Sequence, residues 1–250
     1  AKKKRLPICA AYLDGKRLTP LRLDEYELPV IPRGSGNVAS LQSDIVAEFA
    51  NAVGHYLRSL ECKVRTKIKV VAIDAPSDYS SGGARKSEAG LRKAGISCFS
   101  TPSAERFEEI REKVRKHLSA DGAENRLPHA MQLWMLVGFA LFRELEKHYN
   151  CIEVFPQAIA HRLNAADIHK FRKEGLAAQL RAMSAATGWE PGELASELKI
   201  CVAGAPHDRL DAYMCAWVAS LYPELDVYGG EPNDSIWVPR QRQLKSKVRR

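Results

Sequence analysis

The segment Lys69-Val70-Val71-Ala72-Ile73-Asp74 is an almost unbroken β-branched run, halted by Ala75-Pro76. A run with no polar face predicts a central strand covered on both sides, which places the chain among α/β folds. Open α/β sheets carry their sites beyond the carboxyl ends of strands, and this strand ends on an acid, Asp74. Cys151-Ile152-Glu153-Val154-Phe155-Pro156 repeats the design, with an internal acid, Glu153, and a proline stop.

The remaining punctuation is consistent with that class. Apolar runs at 6–13 and 18–23 flank Asp14-Gly15, the signal of an antiparallel hairpin. Residues 27–37, rich in Pro and Gly, predict a loop, and the apolar spacing of Leu41, Ile45, Phe49, Val53 and Leu57 predicts a long helix over 38–60. A polar stretch at 77–83 leads to Arg85, Glu88 and Arg92 in a further helix, and Ile96–Phe99 is expected to be a small edge strand. Helices are expected over 104–118, 131–149, 156–163, 174–186, 192–198 and 208–221, with a last short strand at 235–239. The hairpin is antiparallel while later strands need crossovers, so the sheet is predicted to be mixed. We read one domain over 1–239, with a helical insertion in 104–149 or 164–201, and a basic tail over 240–250.

Two carboxylates stand at the start of an apolar helix in His207-Asp208-Arg209-Leu210-Asp211-Ala212. On a helix, Asp208, Asp211, Cys215 and Val218 share one face, and beyond the first turn that face is apolar. Ionised carboxylates abutting a core are costly unless a cation sits between them. The competing reading is that Asp208 merely caps the helix, where an acid satisfies free N–H groups and the macrodipole. Should this helix start near the end of the Asp74 strand, Asp74, Asp208 and Asp211 converge. Such a set suits magnesium or manganese, two ions together, and in-line attack of water on a phosphodiester.

Composition narrows the partners. With 38 Lys and Arg against 30 Asp and Glu, the chain carries a net charge of +8, which favours a polyanion such as nucleic acid. Basic residues crowd both ends, as phosphate-tracking tails or as solubilising ones. The longest apolar stretch, Met131–Phe142, is short of the roughly 20 residues a membrane span needs, and no secretory leader opens the sequence, so a cytoplasmic location is expected. The 6 cysteines form no Cys-x-x-Cys pair and have no histidine at zinc-ligand spacing.

Ile73-Asp74-Ala75-Pro76, Arg85 with Glu88, Glu153-Val154-Phe155-Pro156, Lys173-Glu174-Gly175, Asp208-Arg209-Leu210-Asp211-Ala212 and Ile236-Trp237-Val238-Pro239 occur in the order seen in the domain-of-unknown-function 429 family, which the chain resembles over about residues 6–239. That resemblance implies a nuclease of RNase H-like fold acting on DNA or RNA. The acidic helix also resembles the last catalytic helix of RuvC-type resolvases, which implies Asp74 and Asp211 as metal ligands with Asp208 as partner. One departure stands out. RNase H-like folds open with three antiparallel strands, the first bearing an acid, whereas only two precede the long helix here, so the first strand is expected upstream of Ala1 or the site is incomplete. Asp14 serves its own turn and is no substitute.

Supporting roles follow from neighbours. Glu153 is expected to pair with an arginine such as Arg85, or else to stand near the metals. The loop Ser80–Arg85 is either a phosphate cradle or a plain connection. His207 is either a proton shuttle or incidental. The rival functions are a nucleic-acid-binding module with an incomplete site, and a phosphotransferase of the sugar-kinase and actin-like class gripping phosphate at Gly82-Gly83.

Overall fold

A computed structural model describes residues 3–231 and 234–241; the segment 242–250, which holds most of the expected basic tail, lies outside the described residues. The Asp14-Gly15 turn joins β1 (Ala11–Asp14) to β2 (Arg17–Pro20), with Gly15 at φ +59°. Then α1 (Ser43–Val64) buries Val46, Ala50, Val53, Leu57 and Leu60 along one stripe and ends on a left-handed Arg65. The predicted central strand is β3 (Val71–Ile73), and α2 (Lys86–Lys93), α3 (Ala104–Ser119) and α4 (Ala130–Leu145) follow it. The second half comprises β4 (Cys151–Val154), α5 (Pro156–Arg162), α6 (Lys173–Thr187), α7 (Pro191–Cys201), α8 (Pro206–Leu221), β5 (Leu225–Glu231) and β6 (Asp234–Pro239).

The main sheet is mixed, in the order β3-β4-β6-β5. Strand β4 runs parallel to both β3 and β6, and β5 is antiparallel to β6. Both faces are covered, as the β-branched run predicts. Val71 and Ile73 pack with α1 and α4, while Val70 and Ala72 pack with α8 and its neighbours. Helix α4 is apolar nearly all round, and its Gly138 lies against the end of β3, where an added Cβ would run into the Ala75 side chain. Among the described residues no helix is long and apolar enough to cross a membrane.

Four expectations fail. The run before Asp74 is covered on both faces yet forms an edge strand instead of a central one, because burial of both faces does not require a neighbour on both sides. The opening hairpin forms its own two-stranded sheet, so the main sheet is mixed through β5 and not through the hairpin. Ile96–Phe99 forms no strand, because Gly95 (φ +78°) ends α2 and turns the chain so that the Ile96 N–H bonds back to Leu91 O at 2.9 Å. Ile96 is thereby folded into the core beside Leu91 instead of joining a ladder. Conversely, β5 was not expected, since Tyr228-Gly229-Gly230 breaks any strand pattern. The glycines belong to a register shift between Gly229 and Glu231, and a Cβ at Gly229 would run into Asp234 O.

The hairpin stands apart from this sheet. Its β2 is tied to the second half of the chain, because Tyr213 Oη and Trp189 Nε1 both donate to Leu18 O, at 2.7 and 2.8 Å. Between the segment 4–13 and the segment 66–75 lies a cavity of about 1250 Å³, walled also by α1, α4 and α8. Among the described residues nothing pairs with the outer edge of β3, so an open strand edge faces this space.

Candidate functional site

Asp74 follows β3 directly, at its carboxyl end, and its side chain opens into the cavity. Asp208 and Asp211 line the same cavity from the start of α8. The order of elements thus brings the three sequence-predicted acids to one place. The Asp74 carboxyl is pushed up to about 7, first by the crowding of protein around it and then by the negative charge of Asp211, against the pull of Lys170. Asp74 is exposed to the cavity, so water there relieves part of the burial effect, whereas the repulsion from Asp211 remains.

Helix α8 opens with Pro206 in its first turn, suited to a position whose N–H has no helical partner. Gly204, at φ +116°, brings the incoming chain close to Asp208. Asp208 Oδ2 accepts the Ala205 N–H at 3.4 Å, and its Oδ1 lies 3.3 Å from His207 Nε2. Asp208 therefore does cap its helix, while its other oxygen faces His207. Asp211, one turn further in, is largely buried, and burial raises its pKa against the opposing Lys170 charge. The Lys170 ammonium pairs with Asp211 Oδ2. The other oxygen, Oδ1, is buried without a hydrogen-bond partner. Cys215 lies beneath both acids, its thiol pushed far up by burial and by the charges of Asp74 and Asp211, so it is no nucleophile.

Lys170 was not singled out from sequence. It comes from the connection between α5 and α6, and no spacing links it to Asp211, 41 residues later. A usable signal was Gly175, in the motif Lys173-Glu174-Gly175. A Cβ there would run into the carbonyls of Ile168 and His169, so glycine lets the Lys170 loop lie against α6.

Glu153 and Arg85 form the expected ion pair, with Arg85 Nη1 and Nη2 on Glu153 Oε1 and Oε2 at 2.9 and 2.7 Å, both side chains buried. Burial pushes the Glu153 carboxyl up, and the Arg85 charge opposes this. Glu153 Oε2 also accepts the Ser77 N–H at 3.0 Å, which fixes the turn just after Asp74. Arg85 reaches Asp234 and Glu88 as well, at 3.3 and 4.0 Å. Asp234 takes the Lys86 and Ser87 N–H groups at the start of α2, at 2.6 and 3.1 Å. After the Ser80–Arg85 segment, the Arg85 side chain and the first amides of α2 are engaged by carboxylates.

The donor set suits a hard divalent cation. It offers carboxylate oxygens only, one of them a buried orphan on Asp211. It is not a ready cage, since among the described residues no three His, Cys, Asp or Glu side chains are grouped to hold a metal ion. Lys170 occupies Asp211, and the capping bond engages Asp208.

An α/β domain with acids gathered at the end of a parallel strand at the edge of its sheet is the class that fold and site define. The family model described as "Protein of unknown function (DUF429)" matches residues 17–227, and the chain belongs to this family. No curated protein and no solved structure matches it.

Proposed function

We propose that this protein is a metal-dependent nuclease of RNase H-like fold, hydrolysing phosphodiester bonds of DNA or RNA. The observation that carries the reading is the meeting of Asp74, Asp208 and Asp211 at the carboxyl end of β3, beside a cavity with an orphaned Asp211 oxygen. Asp74 and Asp211, with Asp208, would hold magnesium or manganese, which supplies Lewis acidity and an activated water. Without a cation, burial first and the negative charge of Asp211 second push the Asp74 carboxyl up to about 7, so it is partly protonated at neutral pH. Glu153 and Arg85 act at a distance from the chemistry, by fixing the Ser77 turn. His207, beside Asp208 Oδ1, orients that carboxylate.

The RNase H-like reading draws support from the cavity itself. An inserted strand needs about 4.8 Å to each neighbour and an open edge to pair with. The cavity between the segment 4–13 and β3 offers such an edge and apolar walls on both sides. A strand there would bring its own residues level with Asp74.

The test is cleavage of end-labelled DNA and RNA with magnesium or manganese against EDTA. Loss of at least about 100-fold in Asp211→Asn is expected; equal cleavage by this variant and the wild type would refute the reading. A second reading, a binding module with an incomplete site, is favoured by the engagement of Asp211 Oδ2 by Lys170 and of Asp208 Oδ2 by the Ala205 N–H. It predicts salt-sensitive nucleic-acid binding without turnover.

A further inference from the structure

We propose that Lys170 is a built-in cation of this site, standing where a second metal ion would, so that the carboxylates take one divalent ion per chain. The inference rests on the metal-site reading above and revises its number of ions.

Three observations carry it. The Lys170 ammonium is bound to Asp211 Oδ2, with both side chains only 15% exposed, so this is not a surface lysine sweeping through solvent. The same carboxylate keeps its other oxygen, Oδ1, buried and without a partner. One edge of Asp211 is thus already neutralised, while the other is a buried oxygen with no partner of its own. Finally, the loop that delivers Lys170 is fixed on both sides. Gly175 seats the Ile168 and His169 carbonyls against α6, the Phe171 N–H donates to His169 Nδ1 at 3.3 Å, and the Phe171 ring lies 4.9 Å from that of His207, at the head of α8.

Charge decides between one ion and two. Asp74, Asp208 and Asp211 line one cavity and, fully ionised, carry three negative charges. Lys170 and one divalent cation balance these. Two divalent cations beside Lys170 leave the pocket strongly positive before any phosphate arrives, and like charges at contact range in a poorly solvated site repel strongly. A lysine differs from a metal in needing no loading and in being unable to bind water as a Lewis acid, so the activating role falls to the single ion.

The probe is Mn2+ alone, titrated into the full chain at pH 8, with free Mn2+ read from its EPR signal. The wild type is expected to bind one ion per chain, Lys170→Met two, and Lys170→Arg, which keeps the charge, one. Circular dichroism and thermal melting establish that each variant is folded, and Asp211→Asn is expected to weaken wild-type binding at least 10-fold. Two ions on the wild type, or one ion on Lys170→Met at unchanged affinity, would overturn the assignment while leaving the metal-site reading standing. No ion on the wild type and on Lys170→Met would overturn both.

Discussion

Removing the positive charge at Arg85 should unfold this protein more readily than any surface change. Arg85 is 5% exposed and faces Glu153, Glu88 and Asp234, of which the first two are also buried. Arg85→Met keeps much of the side-chain volume but strands the buried Glu153 without its counter-charge and leaves Glu88 with Arg92 alone, at 3.9 Å. Breaking a buried pair in this way costs about 3–5 kcal/mol, out of a total stability of about 5–15 kcal/mol. For a chain of this length each kcal/mol shifts Tm by about 2–4 °C, so a fall of about 6–20 °C is expected. Glu153→Gln should cost less, because the amide still accepts from Ser77 N–H and Arg85 retains Asp234 and Glu88. Replacing both partners, Arg85→Met with Glu153→Leu, should recover part of the loss, since an apolar pair leaves no Glu153 charge behind. Urea melts of wild type, Arg85→Met, Glu153→Gln, Glu153→Leu and the double variant provide the assay, with Arg85→Met and Glu153→Leu as the two single changes of the cycle. A loss below about 1 kcal/mol in Arg85→Met, or a double variant that loses the full sum of the single ones, would refute the view that this cluster is bound by charge.

The raised pKa of Asp74 makes a pH prediction. Folded, its carboxyl titrates near 7, against the ordinary 3.8. Between those values the folded state holds a proton that the unfolded state has released, so raising the pH through that window lowers stability. Asp74→Asn removes that decline, which urea midpoints across the window would reveal; parallel pH profiles for the two proteins would contradict it. Gly138→Ala should cost about 1–3 kcal/mol, because its Cβ meets Ala75 where α4 touches the end of β3, and a thermal melt within 1 °C of wild type would exclude that contact. Gly175→Ala should push the Lys170 loop off α6 and raise hydrogen exchange over residues 167–172; unchanged exchange there would show that the loop is held by other means.

What could be read from sequence was local and periodic. The strand before Asp74 announced itself because burial on both faces demands an unbroken apolar run, and α8 because its apolar stripe begins right after its acids. The pairing of Glu153 with an arginine such as Arg85 was legible because an acid buried within a strand needs a cationic partner. What escaped depended on contacts distant in sequence. Strand β5 is disguised by the glycines that its bulge requires, and Ile96–Phe99 carries strand-like residues that a helix-ending turn folds inward. Lys170 carries no pattern of its own; only the folded chain brings it to Asp211. The cap on Asp208 and the acid cluster were posed as alternatives, yet one oxygen of that carboxylate serves the helix while the other stays beside His207.

The central claim is that the acids at the end of β3 and the head of α8 form a hydrolytic site. Single-turnover cleavage of labelled nucleic acid, with manganese and with EDTA, tests it most directly when wild type is compared with Asp74→Asn, Asp211→Asn and the exposed control Lys93→Ala. Cleavage is expected from wild type and the control only, and EDTA should abolish it. Cleavage that survives both aspartate substitutions, or that ignores EDTA, would contradict it.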